Sequence, residues 1–250
     1  MNFPIYFISD NHFLLENSSE EKNRRNKLLN LFEKIKISGG TLIIGGDFFD
    51  FWLQTFSGIP KYYNDLLEAL KDLHDENINI HFVSGNHDYW DFGILNTKYG
   101  CNIYKNDFVF NVDGKKILVT HGDGILKNDS GYRLMKRIIR SKIFIFLIRI
   151  MPISIMTNIA KKISNTKNKF DPKYPKLPIK QKEELKNFAF SKMKDENIDV
   201  LLMGHYHEIG IYKNDNKQFI HMGDWINQYT VTILDKKGMW KQKKWKDLKV

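Results

Sequence analysis

Leu42-Ile43-Ile44-Gly45-Gly46-Asp47-Phe48-Phe49-Asp50 is the stretch on which the fold turns. Its apolar run reads as a buried strand over residues 41–45, and two carboxylates stand just beyond the carboxyl end. The same grammar recurs along the chain. Ile5-Tyr6-Phe7-Ile8 leads to Asp10-Asn11-His12, and Ile117-Leu118-Val119 leads to His121-Gly122-Asp123. Val200-Leu201-Leu202-Met203 leads to Gly204-His205-Tyr206-His207, and a strand over 78–83 leads to Gly85-Asn86-His87-Asp88. Five of the eight histidines fall inside these motifs. Polar, metal-competent side chains gathered at strand carboxyl ends make a site rather than a surface.

The segments between the motifs fill in an α/β pattern. A strand over 4–9 precedes a polar helix over 20–36, in which Leu28, Leu29, Leu31, Phe32 and Ile35 recur at helical spacing. A helix over 61–74 carries Leu66, Leu67, Leu70 and Leu73 on one stripe. Extended runs 108–112 and 116–120 flank Asp113-Gly114, a hairpin turn. Strands follow over 200–203, 210–212, 218–222, 229–234 and 239–243. Residues 124–178 break this rhythm with three short helices, 132–140, 141–150 and 152–164, and a Pro- and Lys-rich connector over 168–178. A helix over 180–194 then restores the pattern. The expectation is one domain over 1–250 with a helical insertion at 124–178.

The bulk numbers narrow the partners. At 250 residues the chain is long enough for one well-filled core. A net charge of +10 fits a phosphate ester, a nucleic acid or an acidic membrane surface, and equally a Lys- and Asn-rich composition. One cysteine, Cys101, excludes a disulfide framework within the chain. Met1-Asn2-Phe3-Pro4 has neither the charged nor the apolar region of a signal peptide. No segment offers about 18 clean apolar residues, so a cytoplasmic protein is expected.

Carboxylate and amide oxygens suit hard divalent cations, imidazole shifts preference toward Mn2+, Fe2+ or Zn2+, and the motifs hold no thiolate. A mixed Asp, Asn and His set of this size suits a two-metal hydrolase, whose ions sit about 3.5–4 Å apart around a shared ligand. In their order and their chemistry, the five motifs together resemble the calcineurin-like metallophosphoesterase family, and the resemblance runs the length of the chain. It implies a four-layer α/β/β/α sandwich with a helical lid inserted, and a dinuclear site at strand ends. By resemblance, Asp10, His12, Asp47 and His207 hold one ion, Asp47, Asn86, His121 and His205 the other, and Asp47 bridges them. His87 would protonate a leaving group or steady phosphoryl oxygens, with Asn86 and Asp47 beside it in the catalytic centre. Asp50 and Asp88 would orient ligands or backbone.

Within that family, His121-Gly122-Asp123-Gly124, Asp129-Ser130-Gly131-Tyr132-Arg133, the helical insertion, Gly204-His205-Tyr206-His207 and Gly223-Asp224-Trp225 are most similar to the UDP-2,3-diacylglucosamine pyrophosphohydrolases of lipid A biosynthesis. That resemblance implies Mn2+, attack at the α-phosphorus, and UMP and 2,3-diacylglucosamine 1-phosphate as products. It also implies a peripheral place on the cytoplasmic face of the inner membrane. Asp123, Tyr132, Arg133, Ser164, Lys167 and Lys169 are its candidate substrate contacts. The insertion's own residues agree. Ile138, Ile139 and the run Ile143-Phe144-Ile145-Phe146-Leu147-Ile148 are bordered by Arg133, Lys136, Arg137, Arg140, Lys142 and Arg149, which suits acyl chains and an anionic bilayer face. The same apolar residues also suit simple packing of the lid on the core.

One departure stands out. The best-known branch of those hydrolases has Arg after the ligand Asn, where this chain has His87. That leaves a second enzyme reading, a soluble metallophosphoesterase acting on nucleotide or other phosphoesters. Nuclease activity is disfavoured because the positive charge gathers on the lid and on Lys236, Lys237, Lys241, Lys243, Lys244, Lys246 and Lys249, without an aromatic stacking platform. A scaffold that has lost catalysis is disfavoured because every motif position keeps a competent side chain. No nucleic acid and no obligate protein partner is expected.

Overall fold

The computed structural model describes residues 1–171 and 175–248. The middle of the expected 168–178 connector, residues 172–174, and Lys249 of the C-terminal lysine group lie outside the described residues. In chain order the elements are β1 (Ile5–Ile8), α1 (Ser19–Ser38), β2 (Thr41–Ile44), α2 (Asn64–Asp75), β3 (Asn79–Val83), α3 (Ile94–Thr97), β4 (Cys101–Tyr104), β5 (Phe108–Val112) and β6 (Lys115–Thr120). There follow α4 (Ser130–Ile139), α5 (Lys142–Ile150), α6 (Ile153–Ile163), α7 (Ile179–Asp195), β7 (Val200–Met203), β8 (Ile209–Asn214), β9 (Lys217–Met222), β10 (Thr230–Leu234) and β11 (Trp240–Lys244).

The strands form two sheets, ordered β11-β10-β1-β2-β3-β4 and β5-β6-β7-β9-β8. In the first, β1, β2, β3 and β4 run parallel and β10 pairs antiparallel with β1. In the second, β6, β7 and β9 run parallel, with β5 and β8 as antiparallel edges. Three interior parallel strands, β1, β2 and β7, are buried along their whole length, as a strand covered on both faces must be.

Alternation assigns the faces. Ile5, Phe7, Ile43 and Val83 meet Ile117, Val119, Val200, Leu202 and Ile220 between the sheets. Tyr6, Ile8, Leu42, Ile44, Ile80 and Phe82 face the other way, onto Leu28, Leu31 and Phe32 of α1 and Leu66, Leu67 and Leu70 of α2. Leu118, Leu201, Met203 and Phe219 pack on Leu185, Ala189 and Met193 of α7. The result is the expected four layers, helices, sheet, sheet, helix. The leucine stripe of α2 is wholly buried, and each such side chain contributes about 1.5–3 kcal/mol over leaving it in water.

The hairpin turn has φ 50° at Asp113 and 72° at Gly114, the two left-handed residues of a primed turn that follows the twist of its strands. The expected helix over 61–74 opens instead as a 3-10 turn, Lys61–Tyr63, before α2 begins. Two elements had no counterpart in the sequence reading, α3 and the edge strand β4.

Between β6 and α7 stand α4, α5 and α6. Ser141 caps α5, its hydroxyl accepting from the Phe144 amide at 3.3 Å. One face of this insertion rests on the core through Ile139, Phe144, Ile145, Ile153 and Met156. The other face leaves Ile138, Ile143, Phe146, Leu147, Ile150 and Ile163 half or more exposed. Among the described residues no single helix is long and apolar enough to cross a membrane.

Candidate metal centre

The motifs converge because β1, β2, β3, β6 and β7 point their carboxyl ends to one edge of the sandwich. There the chain turns sharply. Asp10, His12, Asp47, His205 and His207 all have φ between 44° and 67°, a region L-residues rarely adopt. Such strain persists only where the surroundings hold it, and it concentrates at functional positions. Two glycines permit the approach. A Cβ on Gly85 would lie 2.2 Å from Asp47 Oδ1, and one on Gly46 would lie 2.5 Å from His121 Nδ1.

Asp10, Asp47, His12 and His121 are buried, and Asn86, His87, His205 and His207 are half-buried. The ligand-type atoms of Asp10, His12 and His207 lie within 4.8 Å of one another, as do those of Asp47, His121 and His205. His12 Nε2 is 3.5 Å and His121 Nε2 is 3.2 Å from Asp47 Oδ2, so Asp47 stands between the two groups. Asn86 Oδ1 joins the second group at 3.1 Å from His121 Nε2. His12, Asp47 and His87 form a third such cluster, so His87 stands within ligand distance as well.

Donor chemistry and setting fit divalent cations. His121 Nδ1 lies 3.0 Å from the Gly45 carbonyl, a contact that turns Nε2 toward Asp47. The ammonium of Lys169 lies 3.1 Å from His207 Nε2 and 3.5 Å from His12 Nε2. An ammonium only donates, so those two nitrogens meet it as acceptors and already receive a positive charge. Burial, with Lys169 adding to it, keeps His12 well below the usual imidazole range, and burial brings His205 down to about 3. Both are thereby held in the neutral, ligating form. Burial works against charge on Asp47, yet His121 and His87 hold it well below the usual carboxylate range.

A shell of buried groups fixes these side chains. Asp88 accepts from the Gly85 amide at 2.6 Å and the Phe48 amide at 2.8 Å, joining two motif loops. Asp50 offers its carbonyl to His87 Nδ1 at 2.5 Å, and its carboxylate takes the Thr166 hydroxyl. Three further residues were not assigned roles from sequence. Ser9 donates to Asp10 at 2.6 Å. Asp224 caps the amides of Ile226, Asn227 and Gln228 at 2.7–3.0 Å and lies 3.7 Å from His207 Nδ1. Arg24, buried and paired with Glu21 at 2.6 Å, binds the carbonyls of Asn11 and His12. A buried pair at that spacing looks, in sequence, like the surface pairs common on helices.

The candidate substrate contacts do not gather at one place. Asp123 binds the Tyr132 hydroxyl and Lys136, both at 2.7 Å, with Arg140 at 3.6 Å, beside His121. Burial opposes its charge, yet His121 and Lys136 bring its carboxyl down to about 2. Arg133 directs its guanidinium to the carbonyls of Gly124, Leu126 and Lys127, where it braces a loop. Ser164 and Lys167 border a cavity of about 210 Å3 on the Asp50 side, with Lys167 paired to Glu16 at 2.6 Å. Lys169 reaches the metal-type ligands His207 and His12 with its ammonium, and the Tyr132 ring lies 6.1 Å from that of His205. Of the lid's bordering cations, Arg149 stacks over Phe56 and Phe92 at 4.5 and 4.8 Å.

A family model for calcineurin-like phosphoesterase matches residues 3–209. The chain is 26% identical over 244 residues to a UDP-2,3-diacylglucosamine hydrolase of Pseudomonas syringae pv. tomato, covering 94% of this chain and 93% of that one. It is 25% identical over 249 residues to the protein of that name in Porphyromonas gingivalis, covering 94% of this chain and 95% of that one.

Proposed function

Since the chain belongs to the calcineurin-like phosphoesterase family, we propose that it hydrolyses the pyrophosphate of UDP-2,3-diacylglucosamine at the α-phosphorus, giving UMP and 2,3-diacylglucosamine 1-phosphate. The observation that carries this reading is a polar metal-type cluster to which an apolar lid is moored. Arg140, where α4 ends, reaches Asp123 and, at 3.4 Å, the Gly85 carbonyl. Thr166, beyond α6, binds Asp50. Between these moorings run α5 and α6, with exposed Ile143, Phe146, Leu147 and Ile150. A phosphate-cleaving centre and an apolar surface held together match a substrate with a pyrophosphate at one end and acyl chains at the other. The relatives that share the chain's length carry that substrate's name.

In this reading Asp10, His12, Asp47 and His207 hold one cation, and Asp47, Asn86, His121 and His205 the second. Mn2+ is the ion the family resemblance implies, and its acceptance of carboxylate oxygens is compatible with the mixed set. When bound, the ions supply charge neutralisation at the phosphoryl oxygens and a water made acidic enough to attack at neutral pH. The chain's own groups do the rest. Asp88 and Asp50 hold the loops, so that Asn86 and His87 meet the substrate in fixed positions. The leaving group is a phosphate monoester with a second pKa near 6, so it departs readily as an anion. His87, its Nδ1 anchored on Asp50, therefore serves chiefly to hold developing charge rather than to supply an obligatory proton.

The same reading puts the enzyme peripherally on the cytoplasmic face of the inner membrane. Exposed lid side chains enter the bilayer boundary, and a net charge of +10 favours anionic lipid. The test is UMP release from UDP-2,3-diacylglucosamine with Mn2+ and with EDTA, beside bis-p-nitrophenyl phosphate. Metal-dependent turnover of the acylated substrate supports the reading. Turnover of the simple ester alone overturns the substrate and retains the family chemistry.

A further inference from the structure

A cavity of about 380 Å3 opens beside His121, on the side of the metal-type cluster away from Lys169. Its size suits a small organic ligand. Its walls come from the ends of β3, β4 and β6 and from α4 and α7. Three features distinguish it from a surface dent.

First, it gathers positive charge. Lys105, Lys136, Arg140 and Lys192 line it against two carboxylates, Asp123, which pairs with Lys136 and Arg140, and Asp107, 3.5 Å from Lys192, so cations outnumber carboxylates. Lys105 is lodged against the backbone carbonyls of Tyr89 and Asp91. Burial brings its ammonium down to about 8, so an anion nearby would favour its charged form. Second, the hydroxyl of Ser84, a residue 4% exposed, finds no partner among the described residues although Ser84 lines the cavity. A buried hydroxyl without a partner costs free energy that a ligand hydroxyl can recover. Third, Phe188, a residue 37% exposed, lines the same space, and Asn106 adds a side-chain amide. A flat apolar ring beside an amide with one donor and one acceptor edge matches a nucleobase, and the imide edge of uracil is complementary to that amide.

Building on the function proposed above, we propose that this cavity is the nucleotide subsite, holding the UMP half of the substrate. The base lies on Phe188 with its polar edge to Asn106, the ribose meets Ser84, and the phosphate lies toward Arg140 and His121. The acylated sugar phosphate then extends to the opposite side, toward Asp50 and the lid. The placement gives α4 a double duty, since its Arg140 serves both the lid and this cavity.

The test is calorimetric titration of the Mn2+-loaded full chain with UMP and, separately, with inorganic phosphate, which reports the metal centre alone. UMP is expected to bind at least about tenfold more tightly than phosphate. In the double variant Phe188→Ala with Asn106→Ala that preference collapses toward unity, while Phe188→Tyr, which keeps a ring, retains it. An unchanged preference in the double variant overturns the subsite, as does a wild-type chain that binds UMP no better than phosphate. The two proposals separate cleanly. If the acylated substrate is not turned over but the preference for UMP is lost in the double variant, the lipid reading falls and the nucleotide subsite stands.

Discussion

The ammonium of Lys169 lies 3.1 Å from Nε2 of His207, at the point where the ligands of one proposed cation converge. A unit charge there competes with an incoming divalent ion at close range, where a pair interaction is about 4 kcal/mol at an effective dielectric of 20. Lys169→Met is expected to tighten Mn2+ binding about tenfold at one of two sites, read by calorimetry on metal-free protein. Equal or weaker binding in the variant would show that the lysine assists the ion rather than standing in its place.

The Asp224 carboxylate meets the metal-type cluster at His207, whose Nδ1 lies 3.7 Å away. Asp224→Asn keeps an oxygen for the capped amides of Ile226, Asn227 and Gln228 and removes the charge behind the imidazole. Loss of such a supporting carboxylate typically costs 10–100-fold in metal affinity or activity. The expected outcome is a loss of about tenfold in Mn2+ affinity at one site, with thermal unfolding of the metal-free chain little changed. A uniform loss of stability with no change in affinity would assign Asp224 to the fold alone.

His221 carries a pH signature away from the metal-type cluster. It is 2% exposed, and burial, with Lys182 and Lys186 adding to it, brings its imidazole from 6.5 down to about 4. Above pH 6.5 folded and unfolded chains both hold it neutral, so it contributes no slope. Between 6.5 and about 4 the unfolded chain binds a proton that the folded chain refuses, so stability falls as pH falls. His221→Phe should therefore lose about 2 kcal/mol less than the parent chain between pH 7 and pH 5, measured by urea unfolding. Parallel pH profiles for the two proteins would contradict this.

The lid separates packing from substrate contact. Ile145 and Met156 rest on the core, whereas Ile143 is 76% and Phe146 58% exposed. Replacing Ile143, Phe146 and Leu147 together by Ser should leave the unfolding temperature within a few degrees. KM for the acylated substrate should rise about tenfold or more, since each buried CH2 is worth about 0.8 kcal/mol. If KM is unchanged and only stability falls, the exposed face has no part in lipid binding.

The layered sheets could be read from sequence because two buried faces leave continuous apolar runs such as Val200-Leu201-Leu202-Met203, and the cluster because its residues follow those runs directly. β4 escaped notice because Cys101-Asn102-Ile103-Tyr104 is a four-residue edge strand whose pattern is shared by many turns. Glu21, Arg24 and Arg25 escaped because charge spacing on a helix does not reveal that its charged face is buried. The connector after the lid has no period to read. Lys169 in it, and Ser164 and Lys167 just before it, therefore followed resemblance alone, and the fold distributes them over different sides of the cluster.

The central claim is that Asp47 is shared by two cations. Low-temperature electron paramagnetic resonance of the chain titrated with Mn2+ tests it most directly. The account predicts that two ions bind per chain and that their spins couple, giving a spectrum distinct from isolated Mn2+, with the coupling lost in Asp47→Ala. A single bound ion, or two ions with the six-line signature of uncoupled Mn2+, would contradict it.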